Sequence, residues 1–346
     1  MEYRSLGRTG VRVSTHCLGA MMFGSWGNTD VDEGVGMIHR AIDAGVNFID
    51  TADVYSAGES EEIVGRALKG RRDEVVLATK VHGAMGRGMN ERGNSRLWIM
   101  REVENSLRRL GTDHIDLYQI HRPDPSVDIE ETLGALTDLV RQGKVRFIGS
   151  STFPSFQMVE AQWVAERRGL ERFVCEQPPY SVFTRHIERG VLPVARRYGM
   201  GVIVWSPLAG GWLAGRYRKG EEPPADSRAV RYRRRGRLHD RFDVSRPEVR
   251  RKQEIVEQLA TVADKAGISL THLAIAFTLA HPGVTSAIIG PRTPEQLDDL
   301  LAGADVRLDA DVLDAIDELV PPGTTIDDAD RGWDPPWLSP AARRRS

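Results

Sequence analysis

Cysteine is nearly missing from this chain: there are two in 346 residues, Cys17 and Cys175, each inside an apolar run and neither in a CxxC pair. That argues against a disulfide framework or a zinc knuckle and fits a reducing, cytoplasmic setting. An excess of one charge is also lacking, with 47 Lys+Arg against 49 Asp+Glu for a formal net charge of −2. Bulk electrostatics therefore favour neither nucleic acid nor a membrane surface as partner. The longest apolar helix-like stretch, Leu270 to Ala280, is far shorter than the roughly 20 residues of a bilayer span. Met1 to Leu6 lack the basic start and apolar run of a signal peptide. No HExxH or paired carboxylate–histidine spacing occurs, so no metal site is expected. Nor does GxGxxG follow the first strand; Gly83-Ala84-Met85-Gly86-Arg87-Gly88 has the wrong spacing, follows a later strand, and reads as a flexible loop.

What is present is a repeat of strand and helix signals. At 40% hydrophobic and 28% charged, the chain can bury a large core, as two ordinary domains or as one large α/β barrel. Strands are expected near residues 16–19, 46–50, 75–80, 115–120, 145–150, 173–176, 201–205 and 284–289. Helices are expected at Val31–Ala44, Glu59–Lys69, Arg96–Leu110, Ile129–Gln142, Ser155–Arg168, Ile187–Tyr198, Leu270–Ala280 and Pro294–Leu301. Asp30 reads as an N-cap, Gly45 and Gly111 as stops, and Pro294 with Glu295 as a first turn. Eight such units predict one α/β domain over residues 1–346, a (β/α)8 TIM barrel. A β-hairpin within Tyr3–Leu18, turning at Gly7 to Gly10, precedes it and is suited to plug one end. A long insertion after strand seven, about 207–267, carries an arginine-dense run (Arg228 to Arg241) and an added helix at Pro247–Ala266. A loop of this length points to a lid. The tail, about 321–346, adds C-terminal structure around the aromatic Gly332 to Trp337 segment before Arg343-Arg344-Arg345.

Polar groups stand at successive strand ends: Asp50 and, five residues on, Tyr55; then Lys80; then His121. In (β/α)8 enzymes these ends converge on one face. A phenol with an ordinary pKa of about 10 needs a nearby cation to exchange protons near neutrality. Lys80 supplies that cation, Asp50 holds it charged and aimed, and His121 orients or polarises a carbonyl oxygen. Each residue alone has an ordinary reading: Asp50 capping a turn, Tyr55 on a surface loop, His121 satisfied at a loop start. Their joint placement is what marks a site.

The other strand ends suit a planar cofactor. Trp205 offers an aromatic face, Ser151 and Gln177 offer hydrogen bonds, and Arg292 with the following helix start offers phosphate contacts. Core packing for Trp205 and a solvated charge for Arg292 are the competing readings. Met22, Trp26, His82 and Arg122 are candidate substrate-pocket residues, with Trp26 equally suited to anchoring a loop.

Over nearly its whole length the chain resembles an aldo-keto reductase, through Leu18-Gly19-Ala20-Met21-Met22-Phe23-Gly24, Gly45 to Tyr55, and Ile289-Gly290-Pro291-Arg292. Trp205-Ser206-Pro207-Leu208, and Pro223-Pro224 before Ser227-Arg228, are similar to the branch holding bacterial reductases and potassium-channel β subunits. The resemblance implies an NADP(H) cofactor bound without a Rossmann motif and a tetrad of Asp50, Tyr55, Lys80 and His121, with Tyr55 as general acid. It also implies cofactor contacts at Gly19, Ala20, Met21, Asp50, Ser150, Ser151, Gln177, Trp205, Ser206, Pro207, Leu208, Gly210, Arg216, Arg228, Gly290, Arg292, Gln296 and Asp299. Arg216 replaces a lysine often found there, and Leu300 replaces a polar residue that often binds adenine. Arg292 replaces the serine of the channel subunits, which supports a 2′-phosphate contact.

The expected activity is NADPH-dependent reduction of a small-molecule aldehyde or ketone by a cytoplasmic protein, a possible homo-oligomer with no nucleic-acid partner. Two rivals remain: an NADP(H)-sensing subunit with little turnover, and a Schiff-base lyase using Lys80. Asp50 opposes the lyase by keeping the amine charged.

Overall fold

Two strands, β1 (Tyr3–Ser5) and β2 (Arg12–Ser14), pair antiparallel as the N-terminal hairpin. The next eight are β3 (His16–Gly19), β4 (Phe48–Asp50), β5 (Val76–Val81), β6 (Ile115–Ile120), β7 (Val145–Ser151), β8 (Cys175–Gln177), β9 (Gly201–Val204) and β10 (Ser286–Ile289). They run parallel in sequence order and close into a barrel where β10 pairs with both β9 and β3. The computed structural model describes residues 1–234, 240–338 and 342; Arg235 and Arg237 of the arginine-dense run, and Arg343–Arg345, lie outside the described residues.

The repeat helices α1 (Val31–Asp43), α2 (Glu59–Ala67), α3 (Arg96–Leu110), α4 (Ile129–Arg141), α5 (Ser155–Arg168) and α6 (Val191–Tyr198) alternate with strands β3 to β9. The insertion holds α7 (Arg228–Arg234) and α8 (Pro247–Lys265); α9 (Leu270–Ala280), α10 (Pro294–Ala302) and α11 (Ala310–Leu319) complete the chain. The start signals act as read: the Asp30 side chain accepts from the Glu33 amide, and Thr293 accepts from Gln296 with Pro294 in the first turn. The expected helix Ile187–Tyr198 is broken instead. Gly190, at φ −138°, separates a short 3-10 turn at His186–Arg189 from α6.

Strand periodicity builds the barrel interior in layers, because side chains two residues apart share a face. The lower layer is apolar: Cys17, Phe48, Ala78, Leu117, Cys175 and Ile203, all fully buried. Leu6 and Val13 of the hairpin join that cluster, so the hairpin does plug the barrel floor. The plug fits closely. Gly7 sits at φ +57°, and a Cβ there would stand 2.5 Å from the Gly199 carbonyl oxygen, so only glycine passes.

Two residues further along each strand the interior turns polar, at Gly19, Asp50, Lys80, Gln119 and Gln177, with Trp205 just beyond β9. Asp50 pairs in register with Ala78, not Lys80. Lys80 therefore lies two residues past the strand partner of Asp50, and its long side chain reaches back toward Asp50.

The insertion is a folded unit. Ser227 starts α7, its hydroxyl accepting from the Val230 amide, where the sequence pattern showed only a charged lid segment. Trp212, Tyr217 and Phe242 pack ring to ring at 4.8, 5.1 and 6.3 Å and give it its own apolar centre.

Candidate active site

Lys80 Nζ donates to Asp50 Oδ1 at 2.5 Å and to the Thr51 carbonyl oxygen at 2.8 Å, with the Tyr55 hydroxyl at 3.3 Å. Both charges are buried, Lys80 at 0% and Asp50 at 2% exposure. A buried pair survives only where the remaining lone pairs are also satisfied. Here they are: Asp50 Oδ2 accepts from Gln177 Nε2 at 2.8 Å and Gln119 Nε2 at 3.2 Å. Gln119 escaped the strand-end reading because it lies inside β6, but it stands two residues before His121 on the same inward face. His121 itself meets the Tyr55 ring edge-on, with centroids 5.6 Å apart.

Burial pushes the Tyr55 phenol above its ordinary range, and Lys80 offsets only part of that rise. Tyr55 is therefore a protonated donor at neutral pH. Burial alone would lower the Lys80 ammonium, but Asp50 and Tyr55 outweigh it and raise it. Burial, then the nearby Lys80, Arg122 and His82, holds His121 well below the usual histidine range, so it stays neutral. It can donate an N–H to an oxygen without giving up a proton.

The turn bearing Tyr55 is strained. Ser56 and Ala57 take φ of 50° and 56°, a left-handed conformation that costs a non-glycine residue roughly 1 kcal/mol or more. The strain is held by contacts: Ser56 Oγ accepts from the Trp26 amide at 3.0 Å and donates to the Phe23 carbonyl. Tyr55 and Trp26 are thus fixed relative to one another, their rings 6.0 Å apart.

A cavity of about 690 Å³ runs from these groups to β10 and α10. Among the sequence-predicted residues, Gly19, Met21, Met22, Trp26, Asp50, Tyr55, His121, Arg122, Gln177 and Trp205 line it, followed by Ser206, Pro207, Leu208, Gly210, Arg216, Arg228, Gly290, Arg292, Gln296 and Asp299. Ala20, Ser150, Ser151 and His82 do not line it, and Lys80 lies behind Tyr55. The reason is orientation. Ser150 points off the inward face and donates to Glu176 Oε2 at 2.5 Å, Ser151 donates to the Gln177 carbonyl oxygen at 2.9 Å, and His82 is engaged with Asn94 at 2.9 Å. The sequence reading missed Asp226, which bridges Arg216 and Arg292, and Arg231, whose Nη1 donates to the Trp26 carbonyl oxygen at 3.0 Å. It also missed Gly332, where a Cβ would fall 2.6 Å from Trp205. No periodicity announces these three; they depend on how the insertion and tail fold back.

Glu176 shares the outward face with Ser150. Burial raises its carboxyl to about 7 against the hydrogen bonds from Ser150 and the Phe153 amide. An acid with a raised folded pKa loses stability as pH climbs from its ordinary value near 4.5 to about 7, here by about 3 kcal/mol. Glu176→Gln should remove that slope: denaturant unfolding at pH 5 and pH 8 should differ by about 2.5 kcal/mol less in the variant than in the parent. Equal slopes would show that Glu176 ionises normally.

A barrel that gathers a tyrosine, a buried lysine–aspartate pair and a neutral histidine at its strand ends, beside an arginine-rich cavity, is laid out as an oxidoreductase barrel. The family model for the Aldo/keto reductase family matches residues 17–321, and the chain belongs to that family. It is 40% identical over 332 residues to the uncharacterized oxidoreductase YrpG of Bacillus subtilis, covering 93% of this chain and 96% of that one. The probable voltage-gated potassium channel subunit beta of Oryza sativa is 38% identical, covering 92% of this chain and 97% of its own. Aldo-keto reductase YhdN of Bacillus subtilis is 39% identical over 306 residues, covering 87% and 88%. No helix among the described residues is long and apolar enough to cross a membrane.

Proposed function

We propose that the protein is an NADPH-dependent reductase of aldehydes or ketones, in which Tyr55 protonates the carbonyl oxygen. The observation that carries this reading is the single cavity joining Tyr55 and His121 at one end to a cluster of guanidinium groups at the other. The residues suit the cofactor. Trp205 presents an aromatic face beside Gln177, Ser206 to Gly210 present a turn of backbone amides, and Arg216 and Arg292 share the Asp226 carboxylate, with Arg228 and Arg231 also lining the cavity, a set of groups suited to phosphates. When bound, the nicotinamide supplies the hydride that reaches the carbonyl carbon. On the protein side, Tyr55 gives its proton to the oxygen as negative charge develops, and His121 donates an N–H to the same atom. Lys80, anchored by Asp50, stabilises the phenolate that remains.

Arg292 is assigned to the 2′-phosphate. Arg292→Ala should weaken NADPH binding about 30-fold while changing NADH binding by less than about threefold, read by fluorescence titration. Equal losses would make Arg292 a lid contact through Asp226. The channel-subunit relatives favour a second reading, a cofactor-binding subunit with little turnover. Steady-state assays with an aldehyde and ketone panel separate the two, and cofactor binding without measurable turnover would sink the reductase.

A further inference from the structure

Arg122 is a guanidinium at the reacting end of the cavity, and no acid among the described residues is set against it. It follows His121 directly, so the chain that delivers the histidine delivers the arginine too. Its Nη1 donates to the His121 carbonyl oxygen at 2.5 Å, and its Cζ stands 5.7 Å from the centre of the Trp205 ring. Asn94 Nδ2 fixes the backbone there, donating to the Arg122 carbonyl oxygen at 2.9 Å.

Four other arginines near the cavity and the buried core are matched by acids, while Arg228 and Arg231 of the insertion line the cavity away from the His121 backbone. Arg216 and Arg292 share Asp226, Arg241 meets Asp330, and Arg109 meets Glu61 and Glu102. Among the described residues, no carboxylate comes within ion-pair distance of Arg122. Glu176 attracts it from farther off, but that acid is engaged by Ser150 and the Phe153 amide, and burial pushes it up to about 7. Burial lowers the hold of Arg122 on its proton, and its charge in turn pulls the Tyr55 phenol down. The His121 carbonyl, the Trp205 ring and the more distant Glu176 offset only part of the desolvation cost of this partly buried cation. Its planar fork matches a carboxylate in two parallel hydrogen bonds.

We propose that the carbonyl substrate carries a carboxylate, which Arg122 binds while the carbonyl oxygen faces Tyr55 and His121. This rests on the carbonyl-reductase reading above. Met22, Trp26 and Val54 supply the apolar wall for the carbon frame between the two polar ends, and Trp205 offers its ring beside the guanidinium.

The test compares 4-formylbenzoate with 4-formylbenzamide, which match in size and differ in charge, the amide being the more activated aldehyde, using the full-length protein and NADPH. The benzoate should show a kcat/KM about twentyfold higher, carried mainly by KM. Arg122→Gln should bring the two substrates within about threefold of each other, with Arg122→Lys between; NADPH titration of each variant confirms that it is folded. Equal turnover of both substrates by the parent would overturn the carboxylate proposal and leave the reductase reading standing. A preference that survives Arg122→Gln would overturn the assignment to Arg122. No turnover of either substrate, with NADPH bound, would remove both readings.

Discussion

Tyr55→Phe should lower kcat for carbonyl reduction about 10³-fold, within the range that a general acid contributes, and leave the dissociation constant for NADPH within about threefold. The asymmetry follows from the site. Among the described residues the phenol oxygen has one polar contact, the 3.3 Å approach of Lys80 Nζ, while Lys80 keeps its shorter bonds to Asp50 and the Thr51 carbonyl. Removing the hydroxyl therefore takes away the proton and little else. The arginine cluster, with Asp226, lies at the opposite end of the cavity and is untouched.

The same chemistry fixes the pH profile. Burial raises the Tyr55 phenol above 10, and in the proposed mechanism the acid form is the active one, so kcat should stay level across neutral pH and fall only in the alkaline range. His121, held neutral well below 6.5, should add no inflection near that value. Unaltered turnover in Tyr55→Phe would remove it as the acid. A step near 6.5 that vanishes in His121→Asn would show that the imidazole is charged in the working enzyme.

The strand ends, with Tyr55 and Arg292 just past them, were legible in the sequence; the further cofactor contacts on the loops were legible only through the family resemblance. Asp50, Lys80 and His121 could be read because an apolar strand that ends on a charged or polar residue breaks its own pattern, and the barrel brings such ends to one face. Gln119 was readable by the same rule, applied two residues earlier. Ser150 shows where the rule was not applied finely enough. It ends the same strand as Ser151, but period two turns it away from the interior toward Glu176. Asp226, Arg231 and Gly332 carry no local signal, because their positions depend on an insertion that packs on its own aromatic centre and on a tail that returns from the far end of the chain.

That return is held by a buried ion cluster, and breaking it should have the second large effect. Lys252 of α8 is fully buried; its Nζ lies 2.8 Å from Asp327 Oδ2 and 2.6 Å from Asp330 Oδ2. Arg246 also reaches Asp327 Oδ1 at 3.0 Å, and Arg241 donates to the Ala329 carbonyl oxygen at 2.8 Å. Lys252→Met keeps the bulk of the side chain but leaves two acids without their shared ammonium, a change that costs about 3 kcal/mol or more when one partner of a buried pair is removed. In a chain of 346 residues that is a fall in Tm of roughly 4 °C or more. Burial would raise the Asp327 carboxyl, but Lys252 more than offsets it and holds it below its ordinary value. The stabilisation is thus complete above that ordinary value and lost as pH falls through the lowered one. The gap between parent and variant should be widest near neutrality and close in acid. Function should follow the same tether, since Gly332 packs against Trp205 just beyond the anchored acids. Loosening it should raise the KM for the carbonyl substrate more than it lowers kcat, with NADPH binding nearly unchanged. A variant that melts with the parent at pH 7 would show that the cluster does not hold the tail.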